Sequence, residues 1–133
     1  MSRSGYSDDC DGWDLIRWRG AVASAFRGRR GQAFLKELLC ALDALPEPKL
    51  ISEDLERDGA VCALGSVGKA RGVDMNGVDP YDRETVANIF NIAPAMAAEI
   101  MFMNDDEYIR QTPEARFTRM REWVKNQIEA DRV

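Results

Sequence analysis

The stretch "CALGSVGKARG", Cys62 to Gly72, decides the fold. It holds three glycines and a Gly68-Lys69 pair, the ingredients of a phosphate-cradling loop, and such a loop would place the chain among the α/β nucleotide-binding folds. The spacing fails twice. A Walker-type loop needs glycine, four residues and then Gly-Lys-Ser/Thr, but Ala63 stands where the first glycine belongs and Ala70 where the magnesium-binding hydroxyl belongs. Gly65, Gly68 and Gly72 also miss the dinucleotide spacing, and no apolar strand of sufficient length leads into them. Val61, Leu64 and Val67 recur at helical spacing, so the stretch reads as a short helix that Gly72 stops. Ala63, Gly65, Gly68 and Ala70 then form a small-residue surface on which another helix can pack closely.

Helical periodicity continues on both sides. "WDLIRWRGAVASAFRG" (13–28) puts Leu15, Trp18, Val22 and Phe26 on one face, with Asp11 or Asp14 near its start and Gly28 at its end. "QAFLKELLCALDAL" (32–45) repeats the pattern with Phe34, Leu35, Leu38, Leu42 and Leu45, and Pro46 and Pro48 close it. The link "GRRG" (28–31) predicts an antiparallel hairpin with arginines at its tip and a second helix starting at about Gly31 or Gln32. "KLISEDLERDG" (49–59) is ambiguous between a short strand and a helical turn beginning at Ser52, with the helix favoured.

Downstream, "VDMNGVDPYDRE" (73–84) is a turn-rich connector. Its acids resemble a calcium loop, but Gly77 falls at the fourth loop position where the sixth is required. Asp82 instead predicts the cap of a helix from Arg83 to about Phe90, with Glu84 and Thr85 in its first turn. Ile92, Met96, Ile100 and Met103 continue at helical spacing as core filler. Thr112 caps the last segment, Pro113 takes its first position, and Phe117, Met120, Val124 and Ile128 form its apolar stripe. Arg116, Arg119, Glu122 and Lys125 fall on the opposite face. Apolar alternation is nowhere sustained, so the fold is predicted to be all-α, a compact bundle of five or six short helices with room for one minor strand pair near residues 49–63. Residues 1–12 read as a polar, acidic lead-in and 13–133 as a single helical domain.

With 133 residues, 45% of them hydrophobic, the chain can bury a real core. The N-terminus is polar and acidic and no apolar run approaches bilayer length, so a soluble, cytoplasmic protein is expected. Three cysteines, Cys10, Cys40 and Cys62, argue against a disulfide framework or a four-thiolate zinc site, and Cys40 and Cys62 read as small core side chains. The chain has no histidine, which excludes histidine-dependent triads and removes the usual general base and zinc ligand. No nucleophile–base pair stands at an informative spacing, so the sequence predicts no enzyme, no catalytic residue, no metal site and no cofactor.

Charge is unevenly placed. From Leu15 to Lys36 there are six basic residues (Arg17, Arg19, Arg27, Arg29, Arg30, Lys36) and no acidic one, while the rest of the chain carries twelve basic against twenty-three acidic, a net −11. Arg27, Arg29 and Arg30 are therefore candidate anion- or nucleic-acid-binding residues, Arg17 and Arg19 adding reach and Trp18 available to stack if it is not buried. A helix start beside guanidinium groups also suits a phosphate, a small nucleotide, or a carboxylate from elsewhere in the fold. The acidic runs Asp8, Asp9, Asp11 and Asp105, Asp106, Glu107 are candidate protein-interface residues, each also readable as a solvated polar loop.

Together, "RWRGAVASAFRGRRGQAFLKELLCALDALP", "CALGSVGKARGVDM" and "TPEARFTRMREWV" resemble a family of small uncharacterised proteins of tailed bacteriophages and prophages, a likeness running from Tyr6 to Ile128. The resemblance carries no site residue or activity. It implies a phage accessory protein in the host bacterial cytoplasm, of a kind that often inhibits host defence or host machinery. The leading expectation is an anti-defence, anti-CRISPR-like inhibitor acting on a host protein or defence complex by protein–protein contact, an acidic surface blocking a basic nucleic-acid groove. The alternative is nucleic-acid or nucleotide binding through the basic hairpin. No membrane partner is expected, and the sequence leaves oligomeric state open.

Overall fold

The computed structural model describes residues 12–105 and 111–128. They form a mostly helical bundle with one small strand pair. In chain order these are α1 (Gly12–Arg27), α2 (Arg29–Asp43), β1 (Glu56–Arg57), β2 (Ala60–Val61), α3 (Ala63–Arg71), α4 (Arg83–Phe90), α5 (Pro94–Asp105) and α6 (Pro113–Gln127). Helices α1, α3 and α6 each pack against both α2 and α5, and α4 packs on α5. Phe34, Leu35, Leu38 and Leu42 of α2 enter the core as their spacing predicts, as do Met96 and Ile100 of α5 and Met120 and Val124 of α6; Met101 is buried as well, while Met103 is only half-buried. Phe26 meets Trp123 edge-on at 5.7 Å between ring centroids, and Phe34 meets Phe90 at 6.2 Å.

Local chemistry sets most boundaries. Asp82 accepts from the Thr85 N–H at 3.2 Å and Thr112 from the Ala115 N–H at 3.1 Å, capping α4 and α6. Gly72 ends α3 in the left-handed region at φ 71°. Cys62 caps α3, its Sγ accepting from the Gly65 N–H at 3.4 Å, which places Val61 in β2 and not in the helix.

The two glycines of α3 do not receive a helix. A Cβ on Gly65 would collide with the Leu55 carbonyl oxygen, and one on Gly68 would fall 2.5 Å from Met75 Sδ, so the hairpin approach and the following loop seat here; Ala70 is exposed. Between Leu50 and Val61 the helical turn from Ser52 gives way to the strand pair, in register Glu56↔Val61 and Arg57↔Ala60. The turn is Asp58-Gly59, both at positive φ (53° and 85°), the geometry that lets a right-twisted two-residue hairpin close.

Two further expectations are corrected. The link between α1 and α2 is Gly28 alone, so Arg27 closes α1 and Arg29 and Arg30 open α2. Gly31 lies inside α2 because a Cβ there would strike the Ala25 carbonyl oxygen, so the second glycine of "GRRG" serves helix contact. Cys40 is exposed, sharing with Lys36 the side of α2 turned from the core, whereas Cys62 is buried as expected.

A buried polar cluster joins the second half of the fold. Asn104 is completely buried: its Oδ1 accepts from the Ala63 N–H at 3.0 Å, at the start of α3, and its Nδ2 donates to the Ile51 carbonyl at 2.9 Å. Arg116, only 9% exposed, donates from Nε to the Asn104 carbonyl at 3.0 Å and from Nη1 to the Leu50 carbonyl at 3.1 Å. Arg119 adds donations to the Met103 and Asn104 carbonyls, so two arginines of α6 satisfy the last carbonyls of α5. They therefore do not lie on a free polar face.

Candidate functional site

Arginine placement singles out one surface. Arg17, Arg19, Arg27, Arg29, Arg30 and Lys36 are all exposed, and none makes an ion pair or hydrogen bond with another described side chain. Three arginines elsewhere behave differently. Arg71 grips Glu37 through two bonds of 2.7 and 2.6 Å, Arg121 grips Asp43 at 2.6 Å, and Arg57 pairs with Asp54 at 2.9 Å. The Arg71 guanidinium holds the Glu37 carboxyl below the usual carboxylate range against the opposing effect of burial, and Arg121 does the same for Asp43.

Arg29 and Arg30 occupy the first turn of α2, a helix with no side-chain cap and no acidic residue in that turn. The aligned peptide dipoles leave partial positive charge there, so a cation in the first turn is unfavourable, by about 0.3–1 kcal/mol each. The two arginines therefore work against the helix that carries them. They line an open cleft of about 230 Å³ between the α1–α2 corner and the turn leading into α5, with Ser24 on one wall and Ile92, Ala93 and Met96 on the other. The second wall was not legible in the sequence, because it arrives from some sixty residues downstream.

Other candidate residues fall elsewhere. Asp8, Asp9, Asp11, Asp106 and Glu107, like Cys10 and the lead-in through residue 11, lie outside the described residues. Asp105 ends α5, and its Oδ1 accepts from the Glu53 N–H and from Asn104 Nδ2, each at 3.0 Å, so it braces the 50s loop. Trp18 is half-buried beneath the Arg83 guanidinium, 4.8 Å from its ring centroid, and is not an open stacking platform.

The loop-like stretch of α3 is also settled by its geometry. Lys69 and Arg71 lie in its last turn, where carbonyls point outward, the end of a helix that repels phosphate. Among the described residues no group of three or more Cys, Asp or Glu side chains is placed to hold a metal ion, and no single helix is long and apolar enough to cross a membrane. Comparison of the chain with protein-family models, with curated proteins and with solved structures finds no match in any of the three.

Proposed function

We propose that this protein is a non-catalytic binding protein whose contact surface is the basic face of α1 and the first turn of α2. One observation carries the reading: Arg29 and Arg30 are exposed, make no ion pair or hydrogen bond with another described side chain, and are set where they oppose the helix dipole, whereas Arg57, Arg71 and Arg121 each hold a carboxylate. Exposed charges that cost local stability are a mark of a functional surface. An anionic partner supplies the missing charge.

The sign of the stability change tests this. Arg29→Glu/Arg30→Glu should raise the unfolding free energy by about 1 kcal/mol, because acids suit a first turn. The wild-type chain should be retained on a heparin column and elute only as salt is raised, and the same double variant should lose that retention. Loss of stability, or unchanged retention, overturns the reading.

A second reading draws on the net −11 outside the basic segment and on the likeness to small phage proteins. It makes the chain a phage accessory protein in the bacterial cytoplasm, inhibiting a host protein or defence complex by presenting an acidic surface to a basic groove. Pull-down from host lysate compares the wild type with a variant neutralised at Asp8, Asp9, Asp11, Asp106 and Glu107, leaving Asp105 intact because Glu53 depends on it. A stable partner that survives neutralisation, or no partner at all, sinks it.

A further inference from the structure

The α1 side of the binding face has a shape that narrows its partner. Arg17, Ala21, Ser24 and Gly28 follow at intervals of four, three and four, so they share one side of the helix, and Ser24 and Gly28 run directly into the cleft that Arg29 and Arg30 line. At 1.5 Å per residue the row from Arg17 to Gly28 is about 16 Å long. Between its ends the side chains are short, which leaves guanidinium groups as the outermost chemistry, with Arg27 beside them in the last turn of α1.

We infer that this row, Arg17 with Arg27, Arg29 and Arg30, binds the phosphate backbone of a nucleic-acid duplex; the inference rests on the binding-face reading above. One strand of a duplex presents about five phosphates over the same length, a spacing that four guanidiniums can follow. Arginine's planar fork suits phosphate oxygens, and four of the four proposed contacts are arginine. Two competing partners fit less well. Single-stranded nucleic acid is held by aromatic platforms, but of the aromatic side chains the structure describes on α1, Trp18 is roofed by Arg83 and Phe26 is buried in the core. Protein interfaces centre on aromatic or large apolar anchors, and among the side chains that the structure describes on α1 and α2, from Ile16 onward, Ile16 is the single large hydrophobic one standing exposed. The proposed contact is therefore electrostatic and independent of base sequence.

Fluorescence anisotropy of a labelled DNA duplex, titrated with the full chain across a salt series, tests the inference. Four phosphate contacts predict that log K falls against log salt with a slope of about −3.6, roughly a hundredfold loss over a fourfold rise in salt. Arg17→Gln/Arg29→Gln/Arg30→Gln should flatten that slope by about 2.7. The matching lysine triple variant should restore most of it, which separates lost charge from lost fold. Arg57→Gln, removing one paired charge on the β-hairpin, should leave the slope unchanged. Three results overturn the inference: no duplex binding at the lowest salt, a slope indifferent to the glutamine triple, or displacement of the duplex by polyglutamate or a single strand as readily as by unlabelled duplex. Retention on heparin without duplex binding refutes this inference alone, whereas loss of both refutes the binding face itself.

Discussion

Replacing Gly65 with alanine probes the seat of α3 directly, and Gly20 provides the matching control. Both glycines lie inside helices, where alanine is intrinsically better by about 0.5–1 kcal/mol. Around Gly20 a new Cβ meets nothing within 4 Å, so Gly20→Ala should collect that gain. At Gly65 the same methyl strikes the Leu55 carbonyl oxygen, lies 2.9 Å from its carbon and 3.0 Å from Val61 Cβ. Two of those atoms are backbone and the third begins a β-branched side chain in the hairpin, so none can swing aside. Relief requires α3 and the hairpin to separate, and overpacking of this kind typically leaves a net cost of about 1–3 kcal/mol after the propensity gain is counted. For 133 residues an unfolding entropy near 2.1 cal/mol/K per residue converts each kcal/mol into about 3.6 °C. Gly65→Ala should thus melt roughly 4–10 °C below the wild type and Gly20→Ala about 2–4 °C above it, by circular dichroism at 222 nm, the standard helix wavelength. If Gly65→Ala melts at or above the wild-type temperature, α3 is not seated on the Leu55–Val61 approach and the packing argument is wrong.

Asn104→Ala strands the Ala63 N–H and the Ile51 carbonyl in a buried site; urea denaturation should show a loss of about 2–4 kcal/mol, and a loss under 1 would show that neither bond matters. Arg71→Ala removes the Glu37 pair and the contacts over Phe34 and Phe90, at 5.8 and 6.0 Å, and should cost about 1–2 kcal/mol, part of it surviving high salt because the ring contacts are screened less than the surface pair. Glu37, Asp43 and Asp82 are all held below the ordinary carboxylate range, by Arg71, Arg121 and Thr85 respectively. Their contribution is present above the unfolded values near pH 4 and is lost as pH falls through the lower folded values, so a melting-temperature profile should decline below about pH 4. With no histidine in the chain the same profile should be nearly flat from about pH 6 to 8, and a step in that interval would refute this account.

Helices were readable wherever a local signal and a periodic face agreed. Asp82, Thr112 and Gly72 mark boundaries through bonds to residues within one turn, and such bonds are written into neighbouring letters of the sequence. The hairpin was signalled by Asp58-Gly59, yet Leu50, Ile51 and Leu55 imitate a helical stripe strongly enough to obscure it. Gly31 looked like part of a linker because its reason for being glycine is the Ala25 carbonyl across the α1–α2 corner, a tertiary contact. Asn104 had no signal at all: its partners stand 41 and 53 positions away, and nothing nearby explains an amide within "EIMFMND". The basic island was visible as composition. That Arg29 and Arg30 oppose a helix dipole became visible only once α2 was seen to begin at Arg29.

The cluster around Asn104 also constrains the order in which the chain can mature. During synthesis α3 emerges well before α5, yet its first N–H is satisfied by a side chain made 41 residues later, and the Leu50 carbonyl waits for Arg116, 66 residues later. Gln32 reaches the Gln127 carbonyl across 95 positions, tying the start of α2 to the last turn of α6. At about 5–20 residues per second the ribosome therefore holds an incomplete bundle for several seconds, its apolar faces open to chaperones. A nascent chain stalled before α6 is not a smaller version of this protein: it lacks the arginines that close α5 and the Leu50 loop, and the Asn104 and Leu50 carbonyls are left without those donors.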